Sequence, residues 1–247
     1  MAIIKIDFTS LVLQRNDYFY VVSPNHFDIG STKIVYLLHG YWGDSTDWLY
    51  LGNAREMADK YNATFIMPNS CNSFYTNMEF GERYYDYFME VKKAFESFFK
   101  ANLDPANTYI AGLSMGGYGA LKIGLNNPEM FSKIGSFSGA VDIESIVNSK
   151  NRDEDSKRRS FNTYGNIPVT DTNNDLFYLI KQLKKNKIKI PNIFIYCGST
   201  DFLYDANLAY LAYLKEKRVK HHFITDEGSH TWDRWRMALD EFLKWAK

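Results

Sequence analysis

Short apolar runs rich in β-branched and aromatic residues recur along this chain with amphipathic helical patterns between them. That alternation limits the fold more than any other feature. Strands are expected at Ile3–Phe8, Tyr18–Val22, Ile34–Leu38, Thr64–Met67, Thr108–Ala111, Ile134–Phe137, Ile193–Cys197 and His222–Thr225. From the third strand onward, helices are expected between them, at Trp48–Tyr61, Glu82–Lys100, Gly117–Asn126, Asp175–Lys185, Asp205–Lys217 and Thr231–Ala246. Strands alternating with helices imply right-handed crossovers and a mostly parallel sheet covered on both faces. The first two strands have no helix between them, which makes them an antiparallel pair at an edge. No repeat, low-complexity tract or Pro/Gly/Ser linker divides the 247 residues, so 1–247 is expected to be one domain. Its least regular stretch, 142–168, is expected to be a lid or binding excursion, or else a plain surface detour.

In open α/β sheets, ligands bind beyond the carboxyl ends of the strands. Ser114 follows the fifth strand within Gly112-Leu113-Ser114-Met115-Gly116, Asp201 follows the seventh, and His230 follows the eighth. Ser, then Asp, then His is the chain order of α/β-hydrolase triads. The flanking glycines have a mechanical reading: a turn tight enough to lift a serine out of a strand–helix junction leaves no room for side chains two residues to either side. The helix N-terminus then adds free N–H groups beside the hydroxyl, which suits an oxyanion. At ordinary residue usage, Gly-x-Ser-x-Gly arises by chance in such a chain with probability of roughly 0.06, so the junction and the later Asp and His carry the weight.

Asp205, Asp226 and Asp233 are rivals to Asp201, each with a structural reading as a helix-opening or turn residue. His39 also follows a strand, and its neighbour Gly40 reads as the start of a loop that donates an oxyanion N–H. His221 and His222 sit side by side in a strand, and His26 lies in a polar turn. No histidine pair has metal-ligand spacing, so neither a metal nor another cofactor is expected.

Balanced charge, with 29 basic and 29 acidic residues, gives no reason to expect nucleic acid or an anionic membrane as a partner. No secretory signal pattern opens the sequence, and no apolar run is long enough to span a membrane. With only two cysteines, Cys71 in a polar loop and Cys197 at a strand end, the expected compartment is the cytoplasm.

The segments "YLLHGYWGDSTDWL", "YIAGLSMGGYGALKIGLNNPEMFSKIGSFSGAVD", "CGSTDFLYDAN" and "GSHTWDRW" resemble the esterase D family of α/β-hydrolases. That group includes tributyrin esterases, S-formylglutathione hydrolases, feruloyl and acetyl esterases and mycolyltransferases. The resemblance runs from about Ile34 to the C-terminus and is strongest in the GLSMGG block. It implies an α/β-hydrolase fold with an eight-stranded, mostly parallel sheet. It also implies Ser114 as nucleophile, Asp201 as acid, His230 as base, and the backbone N–H groups of Tyr41 and Met115 as oxyanion donors. "NSCNSFYTNMEFGERYY" and 142–168 match no single subfamily.

Aromatic residues cluster beside the expected site. Tyr41, Trp42, Tyr75 and Trp232 are candidates for the substrate pocket, whereas Trp48 and Trp235 read as packing residues. The expected activity is serine carboxylesterase, acting on short acyl esters such as acetyl or feruloyl groups, with small-molecule partners such as acylated sugars or hydroxycinnamate esters. The alternatives are an S-formylglutathione hydrolase, a thioester version of the same chemistry, and a non-catalytic binding member of the fold. A homodimer is compatible with so many aromatic residues.

Overall fold

Eight strands form one sheet in the order β1-β2-β4-β3-β5-β6-β7-β8 in the computed structural model, which describes residues 2–149 and 151–247. The strands are β1 Ala2–Ser10, β2 Arg15–Ser23, β3 Lys33–Leu38, β4 Ala63–Pro68, β5 Thr108–Leu113, β6 Lys133–Phe137, β7 Asn192–Tyr196 and β8 His221–Ile224. β1 pairs antiparallel with β2 and β2 antiparallel with β4, while every pairing from β4 to β8 is parallel. The sequence pattern explains the difference. β1 alternates half-buried Ile4, Ile6 and Phe8 with exposed Lys5, Asp7 and Thr9, as a strand solvated on one face must. β4 and β5 are buried at every residue, as strands covered on both faces must be.

The helices are α1 Asp47–Tyr50, α2 Ala54–Tyr61, α3 Tyr84–Phe98, α4 Met115–Asn126, α5 Ile143–Asn148, α6 Glu154–Tyr164, α7 Leu176–Lys185, α8 Tyr204–Glu216 and α9 Trp232–Trp245. One face of the sheet packs against residues of α3, α4, α7 and α8. The other packs against α1, α2 and α9. This is the α/β-hydrolase architecture, a mostly parallel sheet with helices on both sides. Residues Met115–Leu125 of α4 are all buried, so the helix is enclosed on every side. Lys122 is the one charged residue in that span.

Two expected elements differ. The helix expected over Trp48–Tyr61 is two helices, interrupted at Leu51–Asn53. A Cβ on Gly52 would stand 2.4 Å from the Trp48 ring and 2.9 Å from the Trp48 Cα, and Asn53 adopts φ 55°. The 142–168 excursion, expected to be irregular, contains α5 and α6. Each helix is opened by an aspartate: Asp142 accepts from the Ser145 N–H (3.0 Å) and Asp153 from the Ser156 N–H (2.7 Å).

Strand order reverses around β3, since the chain goes from β3 to β4 on one side and returns to β5 on the other. The register lines up Leu38 with Gly112, Leu113 with Phe137, Phe137 with Tyr196 and Tyr196 with Ile224. The loops leaving β3, β5, β6, β7 and β8 therefore rise side by side at one edge of the switch point, where a ligand crevice forms.

Candidate active site

Ser114 sits between β5 and α4 with φ 52° and ψ −117°, a left-handed conformation that costs a side-chain-bearing residue energy. Hydrogen bonds around it hold that turn. The Ser114 N–H donates to Phe137 O (2.8 Å), and the Tyr118 and Ala140 N–H groups donate to Ser114 O (3.1 and 3.3 Å). The flanking glycines answer to close approach rather than to left-handed backbone. A Cβ on Gly112 would stand 2.5 Å from Gly116 O, and one on Gly116 would stand 2.4 Å from Leu38 O.

The Ser114 Oγ lies 3.0 Å from His230 Nε2, and His230 Nδ1 lies 2.8 Å from Asp201 Oδ2. Asp201 also accepts from the Leu203 N–H (2.9 Å) on its other oxygen. Burial works to raise the Asp201 carboxyl. The hydrogen bonds from His230 and the Leu203 N–H outweigh it, holding the group below its ordinary value and ionised. The loops that carry Asp201 and His230 are joined along their length. The Ser199 N–H donates to Asp226 O (2.8 Å), and the Thr200 N–H and hydroxyl both donate to Gly228 O (3.0 and 2.8 Å). Asp226 accepts from Tyr196 OH (2.9 Å) and Arg234 (3.0 Å), which accounts for that rival carboxylate structurally. Asp205 and Asp233 lie in the first turns of α8 and α9.

The loop after β3 is set by His39, which is buried, and burial pushes its imidazole down to about 4. It is neutral at pH 7 and carries its proton on Nδ1. That N–H donates to Gly40 O (2.7 Å), and Nε2 accepts from the Ser70 N–H (2.9 Å). Gly43 N–H donates to the same Gly40 carbonyl (3.2 Å). A trans peptide sends its C=O and N–H in opposite directions, so fixing the Gly40 carbonyl also aims the Tyr41 N–H. Among the described residues, neither the Tyr41 N–H nor the Met115 N–H, the first of α4, has an acceptor. Two backbone donors are thus left unpaired, one next to the serine in the chain and one in the loop after β3.

A cavity of about 200 Å³ opens beside Tyr41, with Phe74, Ile143, Ile146, Val147 and Tyr164 among its apolar lining. Asn72, Arg152, Ser156, Arg159, Ser160 and Thr163 make up the polar part of its lining. Of the four residues expected at a pocket, only Tyr41 lines this cavity. Trp42 stands 78% exposed outside it, its N–H donating to Asn72 Oδ1 (2.7 Å). Trp232 packs edge-on against Trp48 and Trp235. Tyr75 corrects the expectation outright. It is 1% exposed, its hydroxyl donates to His39 O (3.0 Å), and its ring fills the space beside Gly119. Phe74 and Tyr75 both have left-handed backbone, φ 53° and 52°, which turns Phe74 toward the cavity and Tyr75 into the core.

Phe202 had no signal beyond its place after Asp201. Its ring lies 4.6 Å from the His230 ring and is 77% exposed. Trp235 meets His230 edge-on at 4.8 Å and donates its ring N–H to Ser138 Oγ (3.2 Å). Among the described residues, no group of three or more His, Cys, Asp or Glu side chains could hold a metal. No helix among them is long and apolar enough to cross a membrane.

A serine, histidine and aspartate in hydrogen-bonded series form an arrangement that can perform acyl transfer. The comparisons with known proteins point the same way. The sequence profile of the family described as "Putative esterase" matches residues 10–246. An acetyl esterase of Caldicellulosiruptor saccharolyticus is 32% identical, over 99% of this chain and 98% of its own length. Two solved structures from Staphylococcus aureus are each 28% identical and cover 99% of this chain and 98% of their own. They are the substrate-bound fluorophosphonate-binding serine hydrolase FphF (TM-score 0.91) and the apoenzyme of the S-formylglutathione hydrolase FrmB (TM-score 0.87).

Proposed function

The chain belongs to this esterase family, and from that premise we propose a serine carboxylesterase that cleaves short acyl esters, acetyl or feruloyl groups among them, through an acyl-enzyme on Ser114. The observation that carries the assignment is the Ser114–His230–Asp201 series, with its 3.0 and 2.8 Å hydrogen bonds. His230 takes the Ser114 proton as Oγ attacks the ester carbonyl. Asp201 holds the imidazole in the right tautomer and stabilises its cation. The Tyr41 and Met115 N–H groups receive the developing oxyanion, each worth about 3 kcal/mol in the transition state. His230 then protonates the departing alcohol, and a water activated in the same way releases the acid and restores Ser114.

The substrate reading rests on the cavity beside Tyr41. Its 200 Å³ falls below the roughly 300 Å³ at which drug-sized pockets begin, which suits a short acyl group or one small ring. The rings of Tyr41 and Phe74 give it flat walls, and α5 and α6 serve as its cover. Likeness to an S-formylglutathione hydrolase raises a second reading, thioester cleavage. The cavity's size favours the first reading, because a formyl group would leave its apolar wall unfilled.

The test is initial hydrolysis rates on p-nitrophenyl acetate, butyrate and octanoate, methyl ferulate and S-formylglutathione, with Ser114→Ala alongside. Turnover that vanishes in Ser114→Ala and peaks on one short acyl ester supports the assignment. A wild type inert on all five, or an alanine variant with full activity, rejects it. A clear peak on S-formylglutathione selects the thioesterase.

A further inference from the structure

Lys122 lies in the middle of α4, eight residues after Ser114, with 1% of its surface exposed. No carboxylate among the described residues pairs with it. Its ammonium instead donates to three neutral acceptors: Thr76 Oγ1 (2.5 Å), Phe74 O (2.9 Å) and Asn174 Oδ1 (3.3 Å). The Thr76 hydroxyl spends its own proton on Phe74 O (3.1 Å), which leaves its oxygen free to accept from the lysine. Three N–H groups thus meet three acceptors. The faces of Tyr118 and Tyr85, with centroids 5.2 and 5.9 Å from Nζ, add cation–π attraction.

Burying a cation without a counter-ion is expensive, and an apolar side chain of the same length would fill the space. Burial accordingly holds this amine well below the ordinary lysine value. What the lysine secures is the Phe74 peptide. The Phe74 N–H donates to Met115 Sδ (3.3 Å) and the Phe74 carbonyl accepts from Lys122, so one helix grips that residue from both sides. The grip lies where two successive residues have left-handed backbone, a conformation that persists only when its surroundings enforce it. The Phe74 ring is the cavity wall that touches Tyr41, Tyr118 and Tyr164, at centroid distances of 5.6, 6.0 and 6.3 Å.

We propose that Lys122 is a positioning residue for acyl selection: it ties the Phe74 wall of the cavity to the helix that begins at Ser114, and so sets which acyl groups fit. This rests on the reading of Ser114 as nucleophile and of the cavity as the acyl site. Without the tie, the two left-handed residues relax, Phe74 leaves its place, and the cavity loses its size limit.

The experiment measures kcat and KM on p-nitrophenyl acetate, butyrate and octanoate for wild type, Lys122→Met, Phe74→Ala and the double variant. The expected result is that Lys122→Met moves the ratio of kcat/KM between the best and worst esters at least tenfold toward unity, mainly through KM. In the Phe74→Ala background it adds no further change to that ratio. A loss of general stability would lower all three esters by one factor and leave the ratio alone. An unchanged ratio, a further shift in the double variant, or a wild type without chain-length preference overturns the proposal. Should circular dichroism show Lys122→Met unfolded, Lys122→Gln decides, since it keeps a polar group in the site but is one atom too short to hold the Phe74 carbonyl. The ratio must then shift in the same direction, and an unchanged ratio overturns the proposal. Ser114→Ala separates the two readings, because turnover surviving in it removes the nucleophile assignment whatever Lys122 does.

Discussion

Three of the four glycines in α4 offer a graded test of close packing around the serine turn. Replacing any of them by alanine gains about 1 kcal/mol of helix propensity, so the neighbours of the new Cβ decide the outcome. At Gly116 the Cβ would stand 2.4 Å from Leu38 O and 2.6 Å from His39 O, both backbone atoms. Relief there means moving the end of β3 and with it the peptide that aims the Tyr41 N–H. At Gly119 the neighbour is the Tyr75 ring at 2.4 Å, buried and hydrogen-bonded at its far end. At Gly124 it is the end of the Ile134 side chain, Cδ1 at 2.5 Å and Cγ1 at 2.7 Å, which yields more readily than backbone. Overpacking costs about 1–3 kcal/mol where side chains can yield, and more where backbone must. The net expectation is a loss above about 2 kcal/mol for Gly116→Ala, up to about 2 for Gly119→Ala, and near zero for Gly124→Ala. Urea unfolding gives the three stabilities, and kcat on p-nitrophenyl butyrate should collapse for Gly116→Ala alone. If Gly116→Ala matches Gly124→Ala in both, the contact between the serine turn and β3 is not what requires glycine there.

The Asp47 carboxyl, raised to about 6 by burial and by Asp44 beside it, destabilises the folded state above that pH. Because the folded state binds this proton more tightly than the unfolded chain, the cost fades as pH falls from 6 toward 4. Asp47→Asn should therefore stabilise by about 1 kcal/mol at pH 8, after allowance for screening of a half-exposed group, and by nothing near pH 4 in urea unfolding. Asp201→Asn should cut kcat by about 10⁴ while leaving the substrate KM nearly unchanged, since the imidazole loses its tautomer. The depressed Asp201 value gives the opposite pH dependence to Asp47. The stability it contributes is present above pH 4 and is lost as pH falls through its folded value, so wild type and Asp201→Asn should converge in acid.

All eight strands were legible because buried strands carry apolar runs that little else imitates. The antiparallel edge was legible because no helix separates β1 from β2. Ser114, its glycines, Asp201 and His230 could be read because a strand-to-helix turn and the switch-point rule confine them to loops that follow strands. What contact decides was not legible. α1 and α2 part where Gly52 lies under the Trp48 ring, α5 is too short at six residues to show a helical period, and α6 carries five charges in eleven residues. Whether Phe74 or Tyr75 meets the cavity turns on two left-handed residues, which composition does not mark. Phe202 looks like any exposed ring until His230 is placed against it.

His230 reaches back 116 residues to touch Ser114, and it does so from the loop after an edge strand of four residues. A chain emerging from the ribosome therefore contains Ser114 and its glycines before His230 has been added. Contacts of such separation carry a large loop-closure cost and form late. On the proposed mechanism a chain whose β8 has not docked lacks the His230 contact to Ser114 and should not turn over esters. Ester hydrolysis during refolding would thus time the last step of assembly at the sheet edge, where spectroscopic signals dominated by the central strands and helices report mainly what came before.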